Sequence, residues 1–285
     1  MKSINPKEQN LRENYHLMIS GITPRPIALV SSIDRNGQVN LAPYSFFNGF
    51  GANPPIVGFS PSFSGRTGLP KDSLLNIRET EEFTISVVDS DMVEQMSLTS
   101  GEYDKGIDEF VKGGFHRYNS LKVKSPGVAE SKFIMECKLH SIIDLGGKPG
   151  SGNLILGEIV QFHVNEQVYD ENGKIDPFRM DSVGRLGYAW YNRVSSGIFE
   201  LNKAAGVGIG FDQLPDYILK SDVLTGNDLA KLASVNEIPK KYNDNNNTKY
   251  NTSSKVLHEL CREAIHAGDL QEAWQIVFII GGQVG

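Results

Sequence analysis

Between residues 45 and 73 the chain gathers Ser45, Ser60, Ser62, Ser64, Arg66, Lys71 and Ser73. Hydroxyls are short, directional donors and the two cations are fixed charges, the combination that suits a phosphate. Lys71-Asp72-Ser73 precedes a short helical run from Leu74 to Thr80, with Asp72 or Ser73 acceptable as its N-cap. A phosphate placed there would also meet the free N–H groups of the helix end. On residue types alone, Arg66 and Lys71 read first as solvated surface charges and Asp72-Ser73 as a plain cap.

These residues need a frame. Ile27 to Ile33 is an aliphatic, β-branched run with prolines before it that favour an extended entry. Asn36-Gly37 signals a hairpin, because both residues tolerate positive φ. Gln38 to Pro43 is the return strand and Ile56 to Ser60 a third, with an aromatic loop from Tyr44 to Asn48 between them. Phe83 to Val88 reads as a strand, Asp91 to Leu98 as a helix, and 100–130 as irregular.

From Phe133 to Leu145 the residues alternate: Phe133, Met135, Cys137, Leu139, Ile143 and Leu145 share one face, and Glu136, Lys138, His140 and Asp144 the other. A second long strand puts Leu154, Leu156, Val160, Phe162 and Val164 on one face. Tight turns and few long helices favour a barrel over alternating βαβ units. Near residue 200 the character changes. Thr225 or Asn227 caps a helix to about Val235, and Lys240 to Thr252 is an Asn-rich loop. Ser253 or Ser254 then opens a helix with Val256, Leu257, Leu260, Cys261, Ala264 and Ile265 on its apolar face. His266 to Asp269 stops it, and another helix runs through Trp274 and Phe278.

The segments PRPIALVSSIDRNGQVNLAPYSFF, NPPIV and KDSLLNI resemble the flavin reductase-like, FMN-binding split-barrel family, a likeness that thins out towards Tyr191. It implies a mainly β fold: an antiparallel Greek-key split β-barrel over residues 1–200 with peripheral helices, followed by a C-terminal helical extension over 201–285. It implies FMN rather than FAD, held near the interface of a homodimer. In the family's KDT-like motif, Lys71, Asp72 and Ser73 stand at the phosphate, joined by Arg66 and Ser60. The ring slot falls to Ala42, Pro43, Tyr44, Ser45, Phe46 and Asn48. Alternation lets only one face of that strand meet a ligand. Hydride passes directly from nicotinamide to flavin N5, so no side-chain catalyst is expected.

Two departures stand out. Asn153 occupies the place of the His in the family's GDH-like motif, which weakens the transfer of NAD(P)H turnover more than that of flavin binding. In the late RxGG-like segment from Arg185 to Tyr191, Tyr188 stands where a Gly would be. Trp190 reads as core. The leading activity is therefore NAD(P)H-dependent flavin reduction, with an electron-accepting partner protein. The alternative is an FMN-binding electron carrier or sensor. A barrel holding haem or another phosphorylated cofactor is a third reading.

Totals narrow the field. A net charge of −6 argues against nucleic acid or an anionic membrane as the main partner. Cys137 and Cys261 form no CxxC pair and the six histidines lack metal-ligand spacing. The charged N-terminus does not read as a signal peptide, and a cytoplasmic protein is expected. Gly206 to Gly210 lacks the strand-then-helix context of a dinucleotide fold.

Overall fold

The hairpin expected at Asn36-Gly37 is built around one carboxylate. Asp34 Oδ1 accepts the N–H groups of Asn36 at 2.9 Å and Gln38 at 2.8 Å, and Gly37 takes φ +81°. The Gln38 bond, with the Asn36 bonds, holds the Asp34 carboxyl below its usual range. The strands it joins lie within a computed structural model that describes residues 1–201, 207–242 and 250–284. Gly206 of the glycine run and 243–249 of the Asn-rich stretch fall outside the described residues.

The chain divides into two units, Met1–Ile198 and Phe199–Gly285. The first begins with α1 (Leu11–Gly21), β1 (Arg25–Pro26), β2 (Ala28–Ile33), β3 (Val39–Tyr44), β4 (Phe47–Ala52) and β5 (Pro55–Phe59). Then come α2 (Asp72–Thr80), β6 (Glu82–Val87), α3 (Val93–Leu98), α4 (Glu109–Gly113), β7 (Arg117–Tyr118) and β8 (Gly127–Val128). It closes with β9 (Phe133–Asp144), β10 (Asn153–Val164), α5 (Pro177–Met180), β11 (Val183–Arg185) and β12 (Tyr191–Arg193). A 7-stranded antiparallel sheet runs in the order β3-β2-β6-β9-β10-β5-β4. Every residue of β2 is buried, because apolar clusters cover both faces. Leu29 packs with Met92, Met96 and Phe110, while Ala28 and Val30 pack with Phe59, Phe83 and Leu74.

Four sequence expectations are corrected. The aromatic loop is mostly strand: β4 starts at Phe47, hidden in sequence by Gly49 and Gly51, and a bulge sits between them. On β10 the buried side chains are Asn153 and Ile155, and the expected face is half-buried or open, with Phe162 45% exposed. Gly157 explains the swap, since a Cβ there would lie 2.4 Å from Phe83 Cζ, so the inner face reads as small in sequence. Trp190 is exposed, and Tyr188 adopts φ +55°, the left-handed conformation a Gly would take without cost.

The fourth correction is Glu136, expected on the polar face of β9 and in fact wholly buried. Its carboxylate accepts the N–H groups of Leu121 at 2.8 Å, Lys122 at 2.6 Å and Val123 at 3.0 Å. His163 Nε2 lies 2.6 Å from it and Tyr118 OH 3.2 Å from His163 Nδ1. The stretch that read as irregular is thus wrapped around one buried anion. Burial works to raise the Glu136 carboxyl, but the backbone donors and His163 outweigh it and hold it low.

The second unit holds α6 (Asp216–Leu219), α7 (Gly226–Leu232), α8 (Ser254–His266) and α9 (Leu270–Val284). Thr225 caps α7 in a reciprocal box with Asp228. Leu257, Cys261 and Ile265 of α8 are buried with Trp274 and Val277 of α9, as the periodicity requires, whereas Val256 is 38% exposed. Among the described residues no helix is long and apolar enough to cross a membrane.

Glu136→Gln should lower the unfolding free energy by about 2–4 kcal/mol at neutral pH. Because the folded carboxyl titrates low, its contribution is present above the unfolded-chain pKa of about 4.3 and is lost as pH falls through the folded value. Urea unfolding of both proteins should show the gap shrinking from about pH 7 to about pH 3. A gap independent of pH would contradict this assignment.

Candidate functional site

The connection from β5 to α2, residues 60–71, carries most of the predicted phosphate donors, and its geometry decides where they point. Its start is tied down on one side. Asn153 N and Nδ2 both donate to Pro61 O, at 3.2 and 3.0 Å. Phe63 N donates to Ser151 O at 2.9 Å, and Gly150 N returns a bond to Phe63 O at 3.1 Å. Asn153 is wholly buried, so the residue that departs from the family motif acts here as a pin for the loop.

The far end is fixed through Ser73. Its Oγ accepts Asn40 Nδ2 at 2.8 Å and Tyr44 OH at 3.1 Å, tying the first turn of α2 to β3. Ser73 is fully buried, and its hydroxyl braces the wall of the cleft. Lys71, not Asp72 or Ser73, takes the N-cap position, with no side-chain cap bond. The helix end therefore keeps donors that a capping side chain would otherwise engage.

Held in this way, the loop separates two clefts. One, of about 440 Å³, brings together Ala42, Pro43 and Tyr44 of β3 with Ser64, Arg66, Lys71 and Asp72. Phe46, Ser60, Ser62 and Phe63 line the other, of about 840 Å³. Ser45 and Asn48 line neither. Arg25 Nε donates to Ser45 Oγ at 3.3 Å, and Asn48 is exposed on β4, with its Oδ1 accepting Gly49 N. The predicted ring slot is thus divided: Ala42 to Tyr44 lie on one side and Phe46 on the other, as strand alternation followed by a turn requires.

The smaller cleft also contains residues the sequence reading missed. Arg66 Nη2 lies 2.6 Å from Glu102 Oε2, and Lys71 Nζ lies 3.9 Å from Glu102 Oε1. Asp104 and Glu109 line the same space. The expected basic patch is therefore a mixed one, with both cations converging on one carboxylate beside an open helix end. No local motif marks Glu102 or Glu109, because the fold brings them from the stretch that read as irregular. Burial pushes the Tyr44 phenol up to about 12, with Asp72 and Glu109 adding to that and the Ser73 bond opposing it. Tyr44 is consequently a neutral hydrogen-bonding group at ordinary pH. Burial likewise raises the Glu109 carboxyl, although Oε2 accepts Leu41 N at 2.9 Å.

Residues 20–194 match the family described as flavin reductase like domain. The structure is similar to nitrilotriacetate monooxygenase component B from Bacillus cereus, at 34% identity and TM-score 0.66, over 70% of this chain and 98% of that one. It is also similar to 2-nitrobenzoate 2-nitroreductase from Pseudomonas fluorescens, at 31% identity and TM-score 0.61, over 70% and 95%. A split-barrel protein from Shewanella frigidimarina, assigned as a flavin reductase, gives 27% identity and TM-score 0.59, over 69% and 93%. The mainly β, antiparallel split-barrel fold expected from the sequence is thus the one found.

A carboxyl whose folded pKa lies above its unfolded value binds its proton more tightly in the folded chain. Stability then falls as pH rises from the unfolded value through the folded one. Glu109→Gln, which retains the acceptor for Leu41, should raise Tm near pH 7 and change it little near pH 4. Thermal unfolding at the two pH values checks this, and an equal change at both would contradict it.

Proposed function

Because the chain belongs to the flavin reductase-like domain family, we propose that it binds FMN in the smaller cleft and serves as an NAD(P)H-dependent flavin reductase. The observation that carries this reading is the convergence of Arg66 and Lys71 beside the uncapped start of α2. Two cations aimed at one point next to free backbone N–H groups suit a phosphate dianion. The cleft's volume, about 440 Å³, lies within the usual span for small-molecule sites, roughly 300–1,000 Å³. Arg66, Lys71 and the first turn of α2 would hold the phosphate, and Ala42, Pro43 and Tyr44 would form the wall for the ring.

When bound, the flavin supplies the hydride acceptor, its N5, to a nicotinamide donor. The protein's own part is binding and orientation. Ser73 fixes Tyr44 against α2, and Tyr44, kept neutral by burial, places no extra negative charge beside a ring that gains electrons. Asp72 stays at the helix end, where the macrodipole favours a carboxylate. Glu102 competes with the phosphate for both cations, which favours reversible binding.

Exposed Phe50, Ile143 and Phe162 on the strands of the large sheet support a homodimer. A cytoplasmic reductase that passes electrons to a partner protein is consistent with this arrangement. One observation favours the second reading, an FMN-binding electron carrier or sensor. Asn153, standing where the family motif has His, is buried in the loop pin and so is not placed to meet a nicotinamide.

Anaerobic mixing of flavin-loaded protein with NADH or NADPH separates the two readings. Rapid bleaching of the visible flavin band is expected, and its absence with both nucleotides would leave the carrier. Arg66→Ala and Lys71→Ala should each weaken FMN binding by about five- to twentyfold in fluorescence titrations. Glu102→Gln should tighten it by about two- to fivefold, as an exposed competing pair allows. Unchanged affinity in all three variants would remove this corner from the site.

A further inference from the structure

The larger cleft has a chemistry of its own. Leu11, Tyr15 and Met18 of α1 recur at i, i+4 and i+7, so they share one helix face, and each is 50% exposed. An apolar stripe of this kind normally packs into a core. Here it faces a cleft of about 840 Å³, with Phe46, Phe63 and Leu145 also in the lining. Among the described residues lining the cleft, Arg12 is the only charged one, and it makes no salt bridge among the described residues. Its Nε lies 3.4 Å from His16 Nε2.

The helix that carries this wall is held firmly. Asn10 and Glu13 close a capping box at its start, and Asn14 Nδ2 donates to Pro6 O at 2.8 Å. Buried Arg25 grips its end, with Nη1 donating to Ile19 O at 2.7 Å and Ile22 O at 2.6 Å. A cleft built on so constrained a helix is pre-formed, so a ligand loses little free energy in ordering it.

We propose that this cleft is a second ligand site that takes a planar, apolar molecule with one negative charge, such as an aromatic carboxylate. The ring would lie between the α1 stripe and Phe46, and the carboxylate would pair with the Arg12 guanidinium. Charge complementarity decides among occupants. A neutral apolar molecule would gain from the walls but not from the cation at their edge. The site does not depend on flavin binding.

Fluorescence titration of the full chain without flavin tests this, with 2-aminobenzoate as the charged probe and aniline as the neutral one. The wild type should bind 2-aminobenzoate about tenfold more tightly than aniline. Arg12→Gln, a change on an exposed helix face, should remove that preference and leave aniline binding unaltered. Tyr15→Ala should weaken both probes. No binding of either probe at millimolar concentration, or a preference that survives Arg12→Gln, would overturn the proposal. So would displacement of the probe by FMN, which would place the flavin in this cleft, or a Leu11→Asp variant that splits an oligomer without affecting probe binding.

Discussion

The site depends on how the connection between β5 and α2 is held. That segment folds its middle on itself, with Ser64 N donating to Leu69 O and Gly68 N to Ser64 O, and it is tied down at both ends. Near Pro61 it borrows the backbone and side chain of Asn153 and the turn at Gly150 and Ser151. At Ser73 it is bolted to β3 through Asn40 and Tyr44. Each bond is worth only about 1 kcal/mol net. Together they hold the loop between the two clefts.

Electrostatics follows from that geometry. In a chain of net charge −6, an anion site must be made locally. Arg66 and Lys71 are the cations that line the smaller cleft; Glu102 sits between them, and Glu109 and Asp104 stand nearby. On the proposed reading, negative charge would be recognised by position, through donors aimed at one point, more than by a surplus of positive charge. Across the loop the balance is different: apolar walls surround a single cation. The two neighbouring spaces thus differ in their charge and in their walls.

Much of this was legible in the residue order because local physics decided it. The Asn36-Gly37 hairpin, β9 as a strand and most of the apolar face of α8 formed where their patterns require, although Ile143 of the expected inner face of β9 is exposed. Elsewhere distant partners decided. Gly49, Gly51 and Gly157 made real strand positions look like loop or blank, since a missing side chain carries no periodicity. Glu136 read as a surface acid because the N–H groups that solvate it come from a segment with no pattern. The bonds from Asn40 and Tyr44 to the buried Ser73 hydroxyl likewise left no trace in the residue order, because they join α2 to β3 across the fold. The α1 wall was not legible at all: the capping box of Asn10 and Glu13 marks a helix start, but nothing local says which face lines a cleft.

The central claim is that fixed donors at the end of α2 recognise a phosphate, beyond whatever the walls do for a ring. Calorimetric titration of the unmodified protein with FMN and with riboflavin compares two ligands that differ only in that group. The account predicts FMN binding at least about tenfold tighter, with the difference narrowing as salt is added. Equal affinities at low salt would contradict it.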